Sequence, residues 1–166
     1  MKESVNLSDN HNIIEIPAVV DGEIIPIEQV DDQIFSKKMM GDGYGIHPTG
    51  NVIYSPVDGN VEQTASTNHA IYLSIEEGVK LLIHVGIDTI ELKGKGFDSS
   101  LEKGMSVKKG DPLVHFDPKL IADEGFNPVV TVVLLNNSQK DHEITVFPQK
   151  VEVLTAMMPG VTWPMA

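Results

Sequence analysis

Histidine is the side chain in this sequence with the widest chemical reach at neutral pH, because its unperturbed pKa of about 6.5 leaves a large neutral, nucleophilic fraction. Six occur, at positions 11, 47, 69, 84, 115 and 142, and there is no cysteine. A disulfide framework, a thiolate metal site and a thiol nucleophile are therefore excluded. Four of the histidines have ordinary readings. His11 lies in a polar N-terminal stretch, and His142 lies in the turn-like Gln139-Lys140-Asp141-His142-Glu143. His47 precedes Pro48 in a Gly-rich turn, and His115 is expected as a hydrogen-bonded core residue of the apolar run Pro112–Phe116.

His69 and His84 differ because geometry connects them. Ala70–Ile75 and Lys80–Val85 are β runs joined by a polar link containing Glu76, Glu77 and Gly78, which reads as a hairpin. With Glu76 and Glu77 as a two-residue turn, Ile75 faces Gly78 and His69 faces His84. The two Cβ atoms then stand roughly 5 Å apart on one face. Ile71 and Leu82 form the neighbouring pair on that face. Two facing imidazoles can pack, bind a metal, or share a proton or phosphoryl group. One ring can attack phosphorus while the other donates to a phosphoryl oxygen. Thr67, two residues before His69, can fix that ring's tautomer through its hydroxyl.

The elements that must hold such a pair are strands. Gly (14) and Pro (10) interrupt the chain at short intervals, and between them lie runs rich in Val, Ile, Leu and Thr. These runs are Ile24–Ile27, Asn51–Tyr54, Ala70–Ile75, Lys80–Val85, Pro112–Phe116 and Val129–Leu135. Several are continuously apolar, as strands covered on both faces are, so the expected fold is an all-β antiparallel sandwich. Short helical turns are expected at Asp31–Lys38 and Asp117–Gly125, the latter with Asp to cap, Pro in the first turn and Gly to close. Val19-Val20-Asp21-Gly22 and Pro56-Val57-Asp58-Gly59 each place an Asp-Gly turn before a β run, and Val107–Leu113 adds a related turn, a weak internal repeat.

At 166 residues, with 41% hydrophobic and 22% charged, the chain has the composition of one globular domain. We expect that domain over residues 13–166, preceded by a loose segment at 1–12. Acidic residues outnumber basic ones 24 to 12, giving a formal charge of -12. That balance disfavours nucleic acid and anionic membranes and favours a basic partner. No apolar run approaches the roughly 20 residues of a spanning helix, and no signal-peptide core follows Met1, so a cytoplasmic location is expected.

Further residues make the sequence recognisable. Thr67-Asn68-His69-Ala70 is followed by Leu82-Ile83-His84-Val85-Gly86-Ile87-Asp88-Thr89-Ile90-Glu91-Leu92-Lys93-Gly94-Lys95-Gly96-Phe97. Together with Gly41–Gly50, Ser55–Gly59 and Val107–Asp111, they closely resemble the glucose-type enzyme IIA of the bacterial phosphoenolpyruvate-dependent sugar phosphotransferase system, over most of residues 15 to 135. The resemblance implies a duplicated hybrid-motif sandwich and a carrier passing phosphoryl groups from the phosphocarrier HPr to a sugar-specific IIB domain. It implies that His84 is phosphorylated at Nε2, that His69 supports transfer and that Thr67 orients His69. It also implies a docking surface at Ile34, Phe35, Met40, Leu82 and Ile90, with Asp32 and Asp88 meeting an Arg of HPr. No cofactor is required under this resemblance, although His69 and His84 with a partner carboxylate could hold zinc transiently. Regulatory targets are further partners that some relatives have. The stretch Met1–Asn12 lacks the apolar stripe by which some relatives attach to membranes.

Two other classes share features with the chain. His84-x-x-x-Asp88 fits lysostaphin-type zinc hydrolases, but these also need a His-x-His pair, which is absent. Biotinyl and lipoyl carriers share Val-Asp-Gly-like turns, but no lysine here lies in their modification context. A purely regulatory binding protein of the IIA type is the remaining alternative.

Overall fold

The structure is a computed structural model, and it describes residues 12–75, 79–135 and 142–145. The expected loose segment at the N-terminus, His11, the Glu76–Gly78 link and most of the chain beyond Leu135 lie outside the described residues. Twelve strands are described. They are β1 (Asn12–Glu15), β2 (Gly22–Pro26), β3 (Gly41–Pro48), β4 (Val52–Tyr54), β5 (Gly59–Thr64), β6 (Ala70–Ser74), β7 (Lys80–Val85), β8 (Phe97–Asp98), β9 (Ser106–Val107), β10 (Pro112–Phe116), β11 (Val130–Leu135) and β12 (His142–Thr145). Two short helices, α1 (Gln33–Ser36) and α2 (Pro118–Asp123), lie within the two segments expected to hold them. In α2, Asp117 accepts from the Leu120 amide, Pro118 occupies the first turn and Gly125 adopts φ +95°.

Seven strands form one sheet in the order β2-β3-β11-β7-β6-β5-β9, three form a second in the order β4-β10-β8, and β1 pairs with β12. Every pair is antiparallel except β1 with β12, which is parallel. The main core lies between the two larger sheets. Ile71, Leu73, Leu81, Ile83, Val85, Val130 and Val132 of the large sheet pack with Ile53, Leu113, Val114 and Phe116 of the small one. Alternate residues of the same strands point to the other face. There Ala70, Leu82, Val129 and Val133 are covered by Ile25, Ile27, Val30 and Phe35, forming a second, smaller cluster. Strands β7 and β11 are thus enclosed on both sides, which explains their unbroken apolar runs. Both Val-Asp-Gly turns lead directly into strands, β2 and β5.

Three sequence expectations change. Gly41–Pro48, read as a Gly-rich turn around His47, is an eight-residue strand. Its glycines allow close approach to β11: a Cβ at Gly43 would stand 1.8 Å from the Val132 carbonyl oxygen, and one at Gly41 would stand 1.9 Å from that of Leu134. His115, expected in the core, is exposed. A register shift between Pro112 and Val114 rotates β10, so that Leu113, Val114 and Phe116 point inward and His115 outward. His142, placed in a turn by its polar neighbours, begins β12. Among the described residues, no helix is long and apolar enough to cross a membrane.

Candidate functional site

Strand pairing brings the two central histidines together, in a register one residue from the expected one. Ala70 faces His84, Ile71 faces Ile83 and Tyr72 faces Leu82. The Ile75 amide donates to the Val79 carbonyl, so residues 76–78 separate the paired positions. In an unbroken pleat this register would put His69 and His84 on opposite faces. The rings nevertheless meet, with centroids 5.1 Å apart and planes at 82°, edge to face. The reason lies at the start of β6. Asn68 adopts a left-handed conformation at φ +63°, which asparagine tolerates better than most residues. The chain bends at Asn68–His69 before the regular strand begins at Ala70, so His69 does not follow the pleat. The expected neighbouring pair is corrected as well. Ile71 belongs to the main core, and the apolar neighbours of His84 on its own face are Ala70, Tyr72 and Leu82.

Each ring is held at Nδ1 by a residue two positions away. His84 Nδ1 lies 2.8 Å from the Gly86 carbonyl oxygen. A carbonyl can only accept, so Nδ1 carries the proton and Nε2 presents its lone pair. His69 Nδ1 lies 2.5 Å from Thr67 Oγ1. When that hydroxyl donates, the His69 proton resides on Nε2, and the ring offers a donor beside the acceptor of His84.

Gly86 has a demanding position. It adopts φ +82°, its amide donates to the Val129 carbonyl, and a Cβ there would stand 2.3 Å from Thr89 Cγ2. Thr89 is itself buried, its hydroxyl donating to the Val85 carbonyl. This carbonyl partner was not singled out from the sequence. The signal was present in His84-Val85-Gly86, where glycine two residues after a strand histidine permits the chain to turn its carbonyl back.

Burial sets the protonation of both rings. Desolvation, and then the neighbouring His84, lowers the His69 pKa from 6.5 to about 4. Desolvation also lowers that of His84, opposed by the Gly86 hydrogen bond and by the carboxylates of Asp32 and Asp88. Neutral pH therefore leaves two uncharged imidazoles, one presenting a lone pair and the other able to present a proton.

The remaining expected site residues divide by depth. Asp32 caps α1, accepting from the Ile34 amide at 2.9 Å. Asp88 is exposed at φ +61°. Ile34 and Ile90 are exposed at 48% and 57%, beside Met39 at 63%, which the sequence reading did not include. Met40 is half-buried against the smaller cluster. Leu82 and Phe35 are not surface residues: they are 1% and 5% exposed. Leu82 lies under the face between β6 and β11, and the Phe35 ring packs on His84 at 5.3 Å. Both support the rings from within the fold and offer a partner almost no contact area. No set of three His, Asp or Glu side chains able to hold a metal occurs among the described residues. Among the described residues, His84 and Asp88 therefore have no further His, Asp or Glu grouped with them as a lysostaphin-type zinc centre needs.

Comparison with known proteins selects one family. A family model described as "phosphoenolpyruvate-dependent sugar phosphotransferase system, EIIA 1" matches residues 14–140. The chain is 44% identical over 123 residues to the PTS system glucose-specific EIIA component of Haemophilus influenzae, covering 74% of each chain. It is 40% identical over 128 residues to the component of the same name from Staphylococcus epidermidis, covering 77% of each. A glucose-specific EIIBCA component of Corynebacterium glutamicum is 40% identical over 132 residues, which are 80% of this chain and 19% of that protein. Among solved structures, the glucose permease IIA from Mycoplasma capricolum superposes with a TM-score of 0.73 at 32% identity, covering 81% of this chain and 87% of that one.

Proposed function

The chain belongs to the EIIA 1 family of the phosphoenolpyruvate-dependent sugar phosphotransferase system, and we propose that within that system the phosphoryl group travels on His84. The observation that carries this reading is the hydrogen bond from His84 Nδ1 to the Gly86 carbonyl, which keeps the Nε2 lone pair available beside His69. In the proposed cycle, Nε2 attacks the phosphorus of a phosphohistidine donor, HPr, and the N–P bond of the donor breaks with its electron pair returning to the donor ring. His69 donates from Nε2 to a phosphoryl oxygen and steadies the charge as it moves. Thr67 holds His69 in the tautomer that can do so.

The acceptor is a IIB domain. Support comes from the Corynebacterium relative, whose name joins B, C and A components in one protein. IIB domains ordinarily accept on a thiolate, which this cysteine-free chain cannot supply. Because the relatives are named for glucose, glucose is the sugar to test first. The chain's work is positioning and desolvation, which a rigid sheet performs well.

The docking surface of this reading comprises Ile34, Met39, Met40 and Ile90, rimmed by Asp32 and Asp88. Within it, the two Nε2 atoms could serve as two of zinc's four ligands, the others coming from a partner, if the His69 proton moved to Nδ1 with Thr67 Oγ1 accepting it. Such a metal would accompany a complex and is no part of the transfer step.

Incubation with phosphoenolpyruvate, enzyme I and HPr, followed by mass spectrometry, tests the assignment. An acid-labile phosphoryl adduct should form on the parent chain and be lost in His84→Ala. His69→Ala should accept the group yet pass it to IIB at least ten-fold more slowly. Equal labelling of His84→Ala and the parent would reject the assignment.

A further inference from the structure

Thr131 sits at the centre of β11 and is the direct cross-strand partner of His84. On its other side its partner is Gly45 of β3. Opposed residues share a face, so the Thr131 side chain shares that of His84, between Val129 and Val133 of the smaller cluster. It is fully buried, and its hydroxyl has no hydrogen-bond partner among the described residues. Val129 and Val133, two residues to either side of it, are apolar and buried. Gly45 presents no side chain, and the space a Cβ would take there is filled by Val30 and Ile25. Valine has nearly the same shape and would avoid burying an unpaired hydroxyl, so the oxygen is unfavourable as packing alone. His84 is the adjacent side chain whose charge would change during the proposed reaction.

We propose that Thr131 is a positioning residue for phosphoryl transfer, its otherwise uncommitted hydroxyl turning its oxygen toward the His84 ring when that ring bears the phosphoryl group. This rests on the assignment of His84 as the carrier. The chemistry supplies the reason. When Nε2 gives its lone pair to phosphorus, the ring keeps its Nδ1 proton, held by Gly86, and becomes a delocalised cation beside the phosphoryl dianion. No proton leaves, and the donor nitrogen recovers the electron pair of the broken N–P bond. The new positive charge lies where water is largely excluded, and there a dipole free to rotate is worth more than in solvent. Before transfer the hydroxyl has no partner; after transfer the ring's positive charge attracts its oxygen end, although both ring nitrogens are already engaged. The asymmetry favours the phosphorylated state.

The test measures the equilibrium of phosphoryl exchange between this chain and phospho-HPr, together with folding stability, for the parent, Thr131→Val and Thr131→Ser. Thr131→Val should be as stable as the parent or more so, while its exchange equilibrium shifts about five-fold toward the donor as the charge–dipole attraction is lost. Thr131→Ser, which keeps the oxygen and loses the methyl, should hold the parent equilibrium within two-fold even where its stability drops. An unchanged equilibrium in Thr131→Val would overturn the inference while leaving His84 as the carrier. A shift of Thr131→Ser as large as that of Thr131→Val would also overturn it, assigning the effect to packing. A parent chain that takes no phosphoryl group would overturn the proposed function and this inference together.

Discussion

His69 and His84 are each aimed by a neighbour two residues away, and the two arrangements fail in different ways. At Gly86 both conformation and space exclude a side chain: φ is +82°, and an added Cβ would stand 2.3 Å from Thr89 Cγ2. Gly86→Ala should destabilise the fold by about 2–4 kcal/mol in chemical denaturation. It should also slow phosphorylation of the remaining folded protein, because the carbonyl that holds His84 Nδ1 shifts. For His69 the lever is pH. Its folded pKa of about 4 lies below the unfolded value of 6.5, so the unfolded chain binds more protons between those values. The resulting penalty on the folded state begins as pH falls through about 6.5, grows until about 4, and is then constant. Between pH 7 and 5 the parent should lose about 2 kcal/mol more than His69→Gln, which does not titrate. A parent and variant with parallel pH–stability curves would contradict this. At this scale the sequence was informative about residue types and less so about their surroundings. Thr67, His69 and His84 were named on a two-residue turn that the fold does not use, and the rings meet through the bend at Asn68–His69 instead; the burial of Phe35 and Leu82 depends on which face of the large sheet is roofed by residues 25–40, which no local pattern states.

Strand β3 carries the clearest lesson about elements. Gly41, Gly43 and Gly45 read as a turn because glycine is a weak strand former and a common turn residue. In the fold they are the places where β3 can approach its neighbours. Gly43→Ala would drive a Cβ to 1.8 Å from a backbone oxygen of β11 that cannot move without breaking the sheet. It should cost more than about 3 kcal/mol, or prevent folding, by thermal denaturation. Gly104→Ala is the control. Its φ is also positive, at +94°, but nothing lies within 4 Å of the new atom, so the cost should be about 1 kcal/mol. Strands β6, β7, β10 and β11 were legible because β-branched and leucine-rich runs of that length bounded by turn residues have few other solutions. Register was harder. The β6–β7 pairing differs from the expected one by a residue, a distinction that composition cannot make when the link could hold two residues or three.

Over the whole molecule, the formal charge of -12 combines with Asp32 and Asp88, whose carboxylates are felt at His84. The association rate with a basic phosphoryl donor should therefore fall as salt rises, and Asp32→Asn with Asp88→Asn should flatten that dependence in stopped-flow measurements. A slope unchanged by the double substitution would place the steering charge elsewhere. The division of the fold into two apolar layers has its own bearing on the site. The layer between the sheets is large and lies on the face of β7 opposite His84, whereas the one beneath His84 is small and shared with α1.

The hydrogen bonds that orient both imidazoles never leave their own short stretches of chain, Thr67–His69 and His84–Gly86. The sheet supplies adjacency, the Val129 carbonyl that holds the Gly86 amide, and the buried side chains beneath His84. The pair thus behaves as two tripeptide cassettes, and another antiparallel scaffold offering neighbouring strand ends, a left-handed residue before the first cassette's histidine and room for a glycine after the second's could be engineered to receive them whole.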